Sequence, residues 1–344
     1  MLSFAVCGLI LGISGKKLYE WYRNVLSGFT DPETEIRLHE HDTIDRALID
    51  KKTGKGKRIP VPILKQENFG RNMCIDDKNI GGELYTILSN KDTGKIAAMM
   101  MTAKAHIICE ILRKIPVKIL MSVETVSKDL AESYDWVART VFMNAIKIAD
   151  KFHVIKLGFE ALQAIRICYR QAVLTEEREE KEAWKKMGKN VKKFPKVKVF
   201  ENGETRKELL ARSRYLLFKF EREWSESQEE RAKILFREFP EIKESYEIIC
   251  AFRNFYECGI GKKDQAVLLL NTWYEKAKVS KREELKNFIH TIKNHEGEIL
   301  MYFDEGHTNA FAESLNGKIQ AFVRSNFGIR ERNFFHFRIQ KYFS

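Results

Sequence analysis

The clearest alternation of apolar and polar positions lies between residues 73 and 149. Met73, Cys74 and Ile75 form an apolar run that delivers Asp76 and Asp77 to its end. Gly81-Gly82 supplies a turn, and Leu84, Tyr85, Thr86, Ile87 and Leu88 return alongside as a second β-rich run. A further turn over 90–94 leads to a third strand over 95–101, completing a three-stranded meander. Residues 105–114 place Ile107, Ile111 and Leu112 on one helical face and stop before Pro116. A fourth strand is predicted over 123–127, with Asp129 at or just past its end. A helix over 132–142 turns Trp136, Val137 and Val141 inward, and a fifth strand covers 144–149.

Three antiparallel strands, then helix, strand, helix, strand is the order of a ribonuclease-H-like α/β domain, a mixed sheet with flanking helices. That topology sets the first and fourth strands side by side and brings Asp76 next to Asp129. A helix is predicted from Asp150 to about Leu174. Asp150 is placed as its cap, and His153 either faces the same site or donates a hydrogen bond inside the core. From 176 to 300 the pattern changes to highly charged helical segments, an all-α insertion into the sheet domain. Blocks 178–200 and 206–224 interleave basic and aromatic residues. Arg212 and Arg214 belong there either to a surface that tracks phosphates or to a bundle of amphipathic helices. After 301, Thr308 is a candidate N-cap, and Phe311, Leu315, Ile319 and Phe322 form an apolar stripe at helical spacing. Glu313 sits off that stripe, on the face of Asn316, Gly317 and Gln320. The chain thus divides into a lead-in (1–70), the first part of a catalytic core (71–175), a helical insertion (176–300) and the final helices of the core (301–344).

The lead-in adds a helix over 16–26, from Leu18, Trp21, Tyr22 and Val25, and a Lys/Gly-rich loop over 50–60. The apolar run at 2–13 is too short to span a bilayer and has no basic residue ahead of it, so it is expected to be a buried helix or the edge of a truncated domain. Composition narrows the partners. A net charge of +12 over 344 residues favours a polyanion, nucleic acid before an anionic membrane. Six scattered cysteines form no Cys-x-x-Cys pair. That argues against a zinc ribbon or disulfide framework and for a reducing cytoplasm. The tail places Lys318, Arg324, Arg330 and Arg332 among phenylalanines, a candidate DNA surface.

Carboxylates beside buried apolar residues are costly unless paired, and a divalent cation is the usual partner. Asp76, Asp129 and Glu313 are therefore read as a metal-binding triad. The alternative for Asp76 alone is an exposed hairpin rim that happens to carry an acid. Oxygen ligands favour two Mg²⁺ or Mn²⁺ ions over zinc.

The segments ELYTIL (83–88), ADKFHVIKL (149–157), LLARSRYLLFK (209–219) and HTNAFAESLNGKIQAF (307–322) resemble the DDE transposases of bacterial insertion sequences, specifically the ISL-three group. The resemblance runs from about residue 72 to the C-terminus. It implies a ribonuclease-H-like catalytic domain, with the first aspartate at Asp76, the second at Asp129 and the glutamate at Glu313. The aspartate-x-x-histidine signature falls on Asp150 and His153, and Asn309 and Asn316 flank the glutamate as auxiliary positions. Similar sequences carry Glu after the first aspartate where this one has Asp77, so Asp76 and Asp77 compete for the bridging role. The implied activity is metal-dependent cleavage at transposon ends. The freed 3′-hydroxyl then attacks target DNA without a covalent protein intermediate, in a homo-oligomer on DNA associated with the nucleoid. Longer relatives carry an N-terminal zinc-binding and helix-turn-helix region. Residues 1–70 show no clear recognition helix, so end recognition is expected to be lost or supplied by a separate chain. The rival readings are a nuclease or resolvase of the same fold without strand transfer, and an inactive DNA-binding remnant.

Overall fold

The computed structural model describes residues 3–30, 59–186, 197–304, 310–325 and 331–344; the side chains of 310–313 and 316 lie outside that description. Two compact units divide the chain, one of Met1–Ile148 with Thr308–Ser344, the other of Ala149–His307.

The first unit is built on a mixed sheet of β1 (Ile63–Leu64), β2 (Asn72–Ile80), β3 (Glu83–Asn90), β4 (Ile96–Met100), β5 (Thr125–Lys128) and β6 (Ile146–Ala149), in the order β1-β4-β3-β2-β5-β6. β2 and β3 form the expected hairpin. Gly81 and Gly82 both adopt positive φ (63° and 85°), as a two-residue turn matched to strand twist requires. β4 continues the meander, and β5 returns parallel to β2, pairing Asn72 with Thr125 through Ile75 with Lys128. The expected neighbours are therefore neighbours. β2 does not end at Asp76, however. It runs on to Ile80 because Asp77, Lys78 and Asn79 keep full pairing with Thr86, Tyr85 and Leu84 up to the turn. The two-residue β1, against β4, was not anticipated from the sequence.

Helices cover both faces. On one side α3 (Ala105–Leu112), α4 (Val117–Met121) and α5 (Glu132–Val141) bury Ile108, Leu112, Leu120, Tyr134, Val137 and Val141 against Met73, Ile75, Leu88 and Ala98. The buried stripe of α5 is Tyr134, Val137, Ala138 and Val141. Trp136 lies about 100° round the helix from Val137 and is 46% exposed, contrary to its expected inward place. On the other side α13 (Ala310–Ser325) and α14 (Arg332–Phe343) set Leu315, Ile319, Phe322, Phe335 and Ile339 against Ile80, Tyr85, Ile87, Ile96 and Met99. The stripe read from the sequence is thus the one α13 buries.

The lead-in folds as α1 (Phe4–Ile10) and α2 (Gly15–Trp21), the latter extended by a π turn over Tyr22–Leu26. Phe4 packs on Tyr19 and Tyr22, and both tyrosines pack on Phe334 of α14. The expectation of a buried helix at 2–13 fails: Leu9, Ile10 and Leu11 are 86%, 70% and 60% exposed. Only the Phe4 and Gly8 side of α1 meets protein.

Among its described residues past β6, the second unit is all helical apart from one isolated bridge between Val199 and Thr205. Its elements are α6 (Lys151–Lys186), α7 (Arg206–Arg212), α8 (Glu226–Glu238), α9 (Pro240–Phe255), α10 (Lys263–Ala277), α11 (Glu283–Asn294) and α12 (Glu296–Leu300). α6 is one 36-residue helix that continues through the charged stretch after 174. It packs on α7, α9 and α11, all within the second unit. Phe252, Phe255, Trp273, Phe288 and Phe303 form an aromatic core. Gly158 gives α6 its close approach: a Cβ there would stand 3.1 Å from Phe288 and 3.2 Å from Ile249.

Candidate active site

Side-chain parity along β2 sorts its two aspartates. Met73 and Ile75 face the α5 side with Leu88, while Ile80 faces the α13 side with Ile87 and Tyr85. Successive side chains alternate faces. Asp76, paired with Ile87, therefore belongs to the α13 side, and Asp77, paired with Thr86, to the α5 side. The hydrogen bonds agree: Tyr134 of α5 donates its hydroxyl to Asp77 Oδ2 at 3.3 Å and lies 3.3 Å from Thr86 Oγ1. Burial, with Asp77 and Asp76 nearby, raises the Tyr134 pKa, so the hydroxyl stays a donor at neutral pH.

Asp129 follows Lys128, the last residue of β5 paired with β2. Asp129 is the first residue past β5, so continuing the register by one step would set it opposite Asp76, with neighbouring strands about 4.8 Å apart. Parity puts Asp129 with Ser127, on the α13 side. Asp76 Oδ1 accepts the Asp77 N–H at 2.8 Å, and Asp129 Oδ1 accepts the N–H of Leu130. Both acids are half-buried.

Two buried lysines brace this end of the sheet. Lys128 is fully buried on the opposite face, its Nζ 3.2 Å from Asp135, which Arg139 also holds at 2.7 Å. Lys91 donates to Ser127 Oγ at 2.9 Å. The sequence reading missed both, since neither lysine carries a motif.

Glu313 stands in the first turn of α13, which packs on the Asp76 side of the sheet and touches β2. Its side chain, and that of Asn316, lie outside the described residues, as do Asn309 and Arg330 altogether. Among the described residues no three His, Cys, Asp or Glu side chains gather as a metal would need. Asp76 and Asp129 supply two acidic oxygen donors on one face, the ligand type that suits Mg²⁺ or Mn²⁺.

Within the helical unit, Asp150 caps α6. Its Oδ1 accepts the Phe152 N–H at 2.7 Å, and its Oδ2 is 3.6 Å from His153 Nδ1. The two signature residues are thus in contact with each other. Lys151 stacks over Tyr256 and Tyr302 at 5.4 and 5.5 Å. Burial, then Asp150, raises the Tyr256 hydroxyl pKa.

The basic candidates differ in freedom. Lys318 and Arg324 are exposed on α13, off its buried stripe. Arg332 is 3.1 Å from Glu83, and Arg212 is 3.1 Å from Glu204, a buried carboxylate that Arg231 also clamps at 2.7 Å. Arg214 lies over the exposed ring of Tyr215.

The lead-in holds a feature that the sequence reading did not find. α1 and α2 are joined by Leu11-Gly12-Ile13-Ser14, with Gly12 at φ 66° and Ser14 capping α2 through the Lys17 N–H. A Cβ on Gly8 would lie 2.5 Å from the Ile13 carbonyl, and one on Gly15 would lie 2.7 Å from Ala5 Cα, so the helices meet backbone to backbone. A short turn containing Gly12 thus joins two short helices in close backbone contact. The outer face of α2 shows Lys16, Lys17, Glu20 and Trp21, and Asn24 is exposed in the π turn that follows. Glycines at 8, 12 and 15 were the available signal.

Residues 73–339 match the family DDE_Tnp_ISL3, described as transposase. Two curated proteins are similar to the chain, both transposases for insertion sequence element IS1557, from the CDC 1551/Oshkosh and H37Rv strains of Mycobacterium tuberculosis. Each is 27% identical over 204 residues, covering 58% of this chain and 44% of the relative. The matched stretch therefore spans under half of either relative. Among the described residues, no helix is long and apolar enough to cross a membrane.

Proposed function

Because the chain belongs to the ISL3 family of DDE transposases, we propose that it moves an insertion-sequence element by cleaving DNA at the element's ends and joining the freed 3′-hydroxyl to target DNA. The observation that supports this reading is the parallel pairing of β2 with β5 up to Ile75 and Lys128, the residues directly before Asp76 and Asp129. Asp76, Asp129 and Glu313 would hold the metal ions. Bound Mg²⁺ or Mn²⁺ stabilises negative charge on both the attacking and the leaving oxygen of a phosphodiester.

The chain's own groups do the positioning. The pairing of β2 with β5 fixes the separation of the two aspartates. Lys128, anchored to Asp135 on the far face, fixes the end of β5 from which Asp129 projects. Burial of Leu315, Ile319 and Phe322 fixes the roll of α13 and so the backbone position of Glu313. Asp77, turned to the other face and held by Tyr134, belongs to the support of the hairpin and not to the reacting site. Asp150, the cap of α6, and His153, whose Nδ1 lies 3.6 Å from its carboxylate, serve as auxiliary residues.

DNA recognition is assigned to two surfaces. The pair of helices α1 and α2 suits the major groove, with Lys16, Lys17 and Asn24 on the outward face of the second helix and its π turn. Lys318 and Arg324 extend a basic surface along α13.

The test is a labelled duplex ending in the element's terminal sequence, incubated with Mg²⁺ and a target plasmid. Wild type is expected to give joined products; Asp129→Asn and Glu313→Gln are expected to bind the duplex and join nothing. Cleavage without joining in wild type would point to a nuclease. Activity that survives both substitutions would refute the proposed site.

A further inference from the structure

The helical unit contains a cavity of about 670 Å³, open on one side, between the 3-10 turn at Glu221–Glu223 and the helices α8 and α9. That volume is within the range of about 300–1,000 Å³ typical of small-ligand sites. Its floor is aromatic. Trp224 and Phe236 lie 6.1 Å apart, and Tyr246 backs both at 5.6 and 5.4 Å. Trp224 Nε1 donates to the Leu216 carbonyl at 2.8 Å. The indole N–H is therefore spent internally and the ring is locked, leaving its π face as the group a ligand meets. Ala232, on the same wall, keeps the floor clear.

The rim is charged. Lys233 and Arg237 stand one turn apart on α8, and Lys243 faces them from α9. Each already has an acidic neighbour: Glu229 for Lys233, Glu201 for Arg237 and Glu247 for Lys243. Exposed pairs of this kind contribute little and exchange readily for a phosphate oxygen. Glu221 and Glu229 also line the cavity, so its three cations stand among acids of the lining and of the neighbouring helices. A phosphodiester oxygen would take the place of one of these exposed carboxylates. A nucleoside triphosphate would meet repulsion from the two lining acids.

We propose that this cavity is a stacking site for one unpaired nucleotide of single-stranded DNA. The base lies on Trp224 and Phe236, and its single phosphodiester is held by Lys233, Arg237 and Lys243. A floor without a free hydrogen-bonding group accepts any base, because every base has a π face. The inference rests on the reading of the chain as one that works on DNA, and assigns to the helical insertion a part in holding strand ends.

The experiment uses the full chain and a 12-nucleotide single strand carrying one 2-aminopurine, with binding followed by anisotropy and base fluorescence. Wild type is expected to bind and quench the probe. Trp224→Ala and the double change Lys233→Glu with Lys243→Glu are each expected to weaken single-strand binding about tenfold or more. Affinity for fully paired terminal duplex should stay unchanged. The rim variant alters exposed side chains alone, so its result holds even if the tryptophan variant fails to fold. Unchanged single-strand affinity and quenching in the rim variant, with duplex joining intact, would overturn the stacking site and leave the transposase reading standing. Failure of wild type to bind either DNA would overturn both. Displacement of the strand by equimolar free dAMP would replace the strand with a mononucleotide and overturn the proposal as stated.

Discussion

Asp76→Asn and Asp77→Asn differ by one position and should differ greatly in effect, because β2 turns the two carboxylates to opposite faces. Asn at 76 keeps an acceptor for the Asp77 N–H but removes one of the two anionic donors of the proposed site. Charge stabilisation by a bound metal is worth several kcal/mol, and about 1.4 kcal/mol is a factor of ten, so joining should fall by about a thousandfold or more. Asn at 77 still accepts the Tyr134 hydroxyl through Oδ1. The loss is the charged part of one long, half-buried hydrogen bond of 3.3 Å, at most about 1 kcal/mol. In a domain of this size that lowers Tm by roughly 2–4 °C. Thermal unfolding with and without Mg²⁺, beside the joining assay, separates the two. Wild type and Asp77→Asn should gain Tm with the metal, since an ion that binds only the folded form stabilises it. Asp76→Asn should gain little and should unfold higher than wild type without metal, having lost a repulsive neighbour of Asp129. The parity argument is refuted if Asp77→Asn abolishes joining and the Mg²⁺ response while Asp76→Asn retains them.

Ile319→Ala removes a fully buried side chain at the centre of the contact between α13 and the sheet. It should cost about 2–5 kcal/mol of stability, read by urea unfolding, and should lower joining at temperatures where the protein is still folded. His336 donates Nδ1–H to the Val61 carbonyl at 2.7 Å and keeps Nε2 buried without a partner; burial lowers its pKa from 6.5 to about 4. The unfolded chain takes up a proton below about pH 6.5 that the folded chain refuses until about pH 4. Stability is therefore intact above pH 6.5 and falls by roughly 3 kcal/mol on the way down to pH 4. His336→Gln, measured by denaturant unfolding across that window, should flatten this part of the curve. Lys16→Glu with Lys17→Glu should weaken binding to terminal duplex and reduce the slope of log affinity against log salt by about 0.9 for each phosphate that is no longer neutralised. An unchanged slope would remove α1 and α2 from the DNA interface.

The order of sheet and helix elements was legible because each strand is bounded by glycine or polar turns and each helix shows one apolar stripe. Leu315, Ile319 and Phe322 are the clearest case, since their spacing alone named the buried face of α13. Trp136 was misplaced because hydropathy ranks a side chain by type, whereas the 100° step from Val137 carries it off the stripe. At the N-terminus, apolar Leu9, Ile10 and Leu11 suggested burial, yet they are among the most exposed large side chains described. The corner that gives α1 and α2 their form is made by Gly8, Gly12 and Gly15, which leave no trace in a pattern of apolar side chains.

The two aspartates show the same limit at the candidate site. A strand with one wet face would have displayed its parity by alternation, but β2 is central and buries Met73, Cys74 and Ile75 on both sides. Three consecutive apolar residues carry no phase, so their pattern alone does not say which face Asp76 or Asp77 takes. The phase is supplied from far along the chain. Tyr134 claims Asp77 for one face, and Ile319 and Phe322 cover the other, where Ile80 and Ile87 fix the parity of Asp76. Asp129 follows a parallel pairing, ending at Lys128, that no local signal specifies. It follows that the identity of the paired acids is a property of long-range packing. Substitutions in α5 at Tyr134 should therefore disturb Asp77 and leave joining at Asp76 and Asp129 intact, while substitutions along the buried stripe of α13 should disturb the site itself.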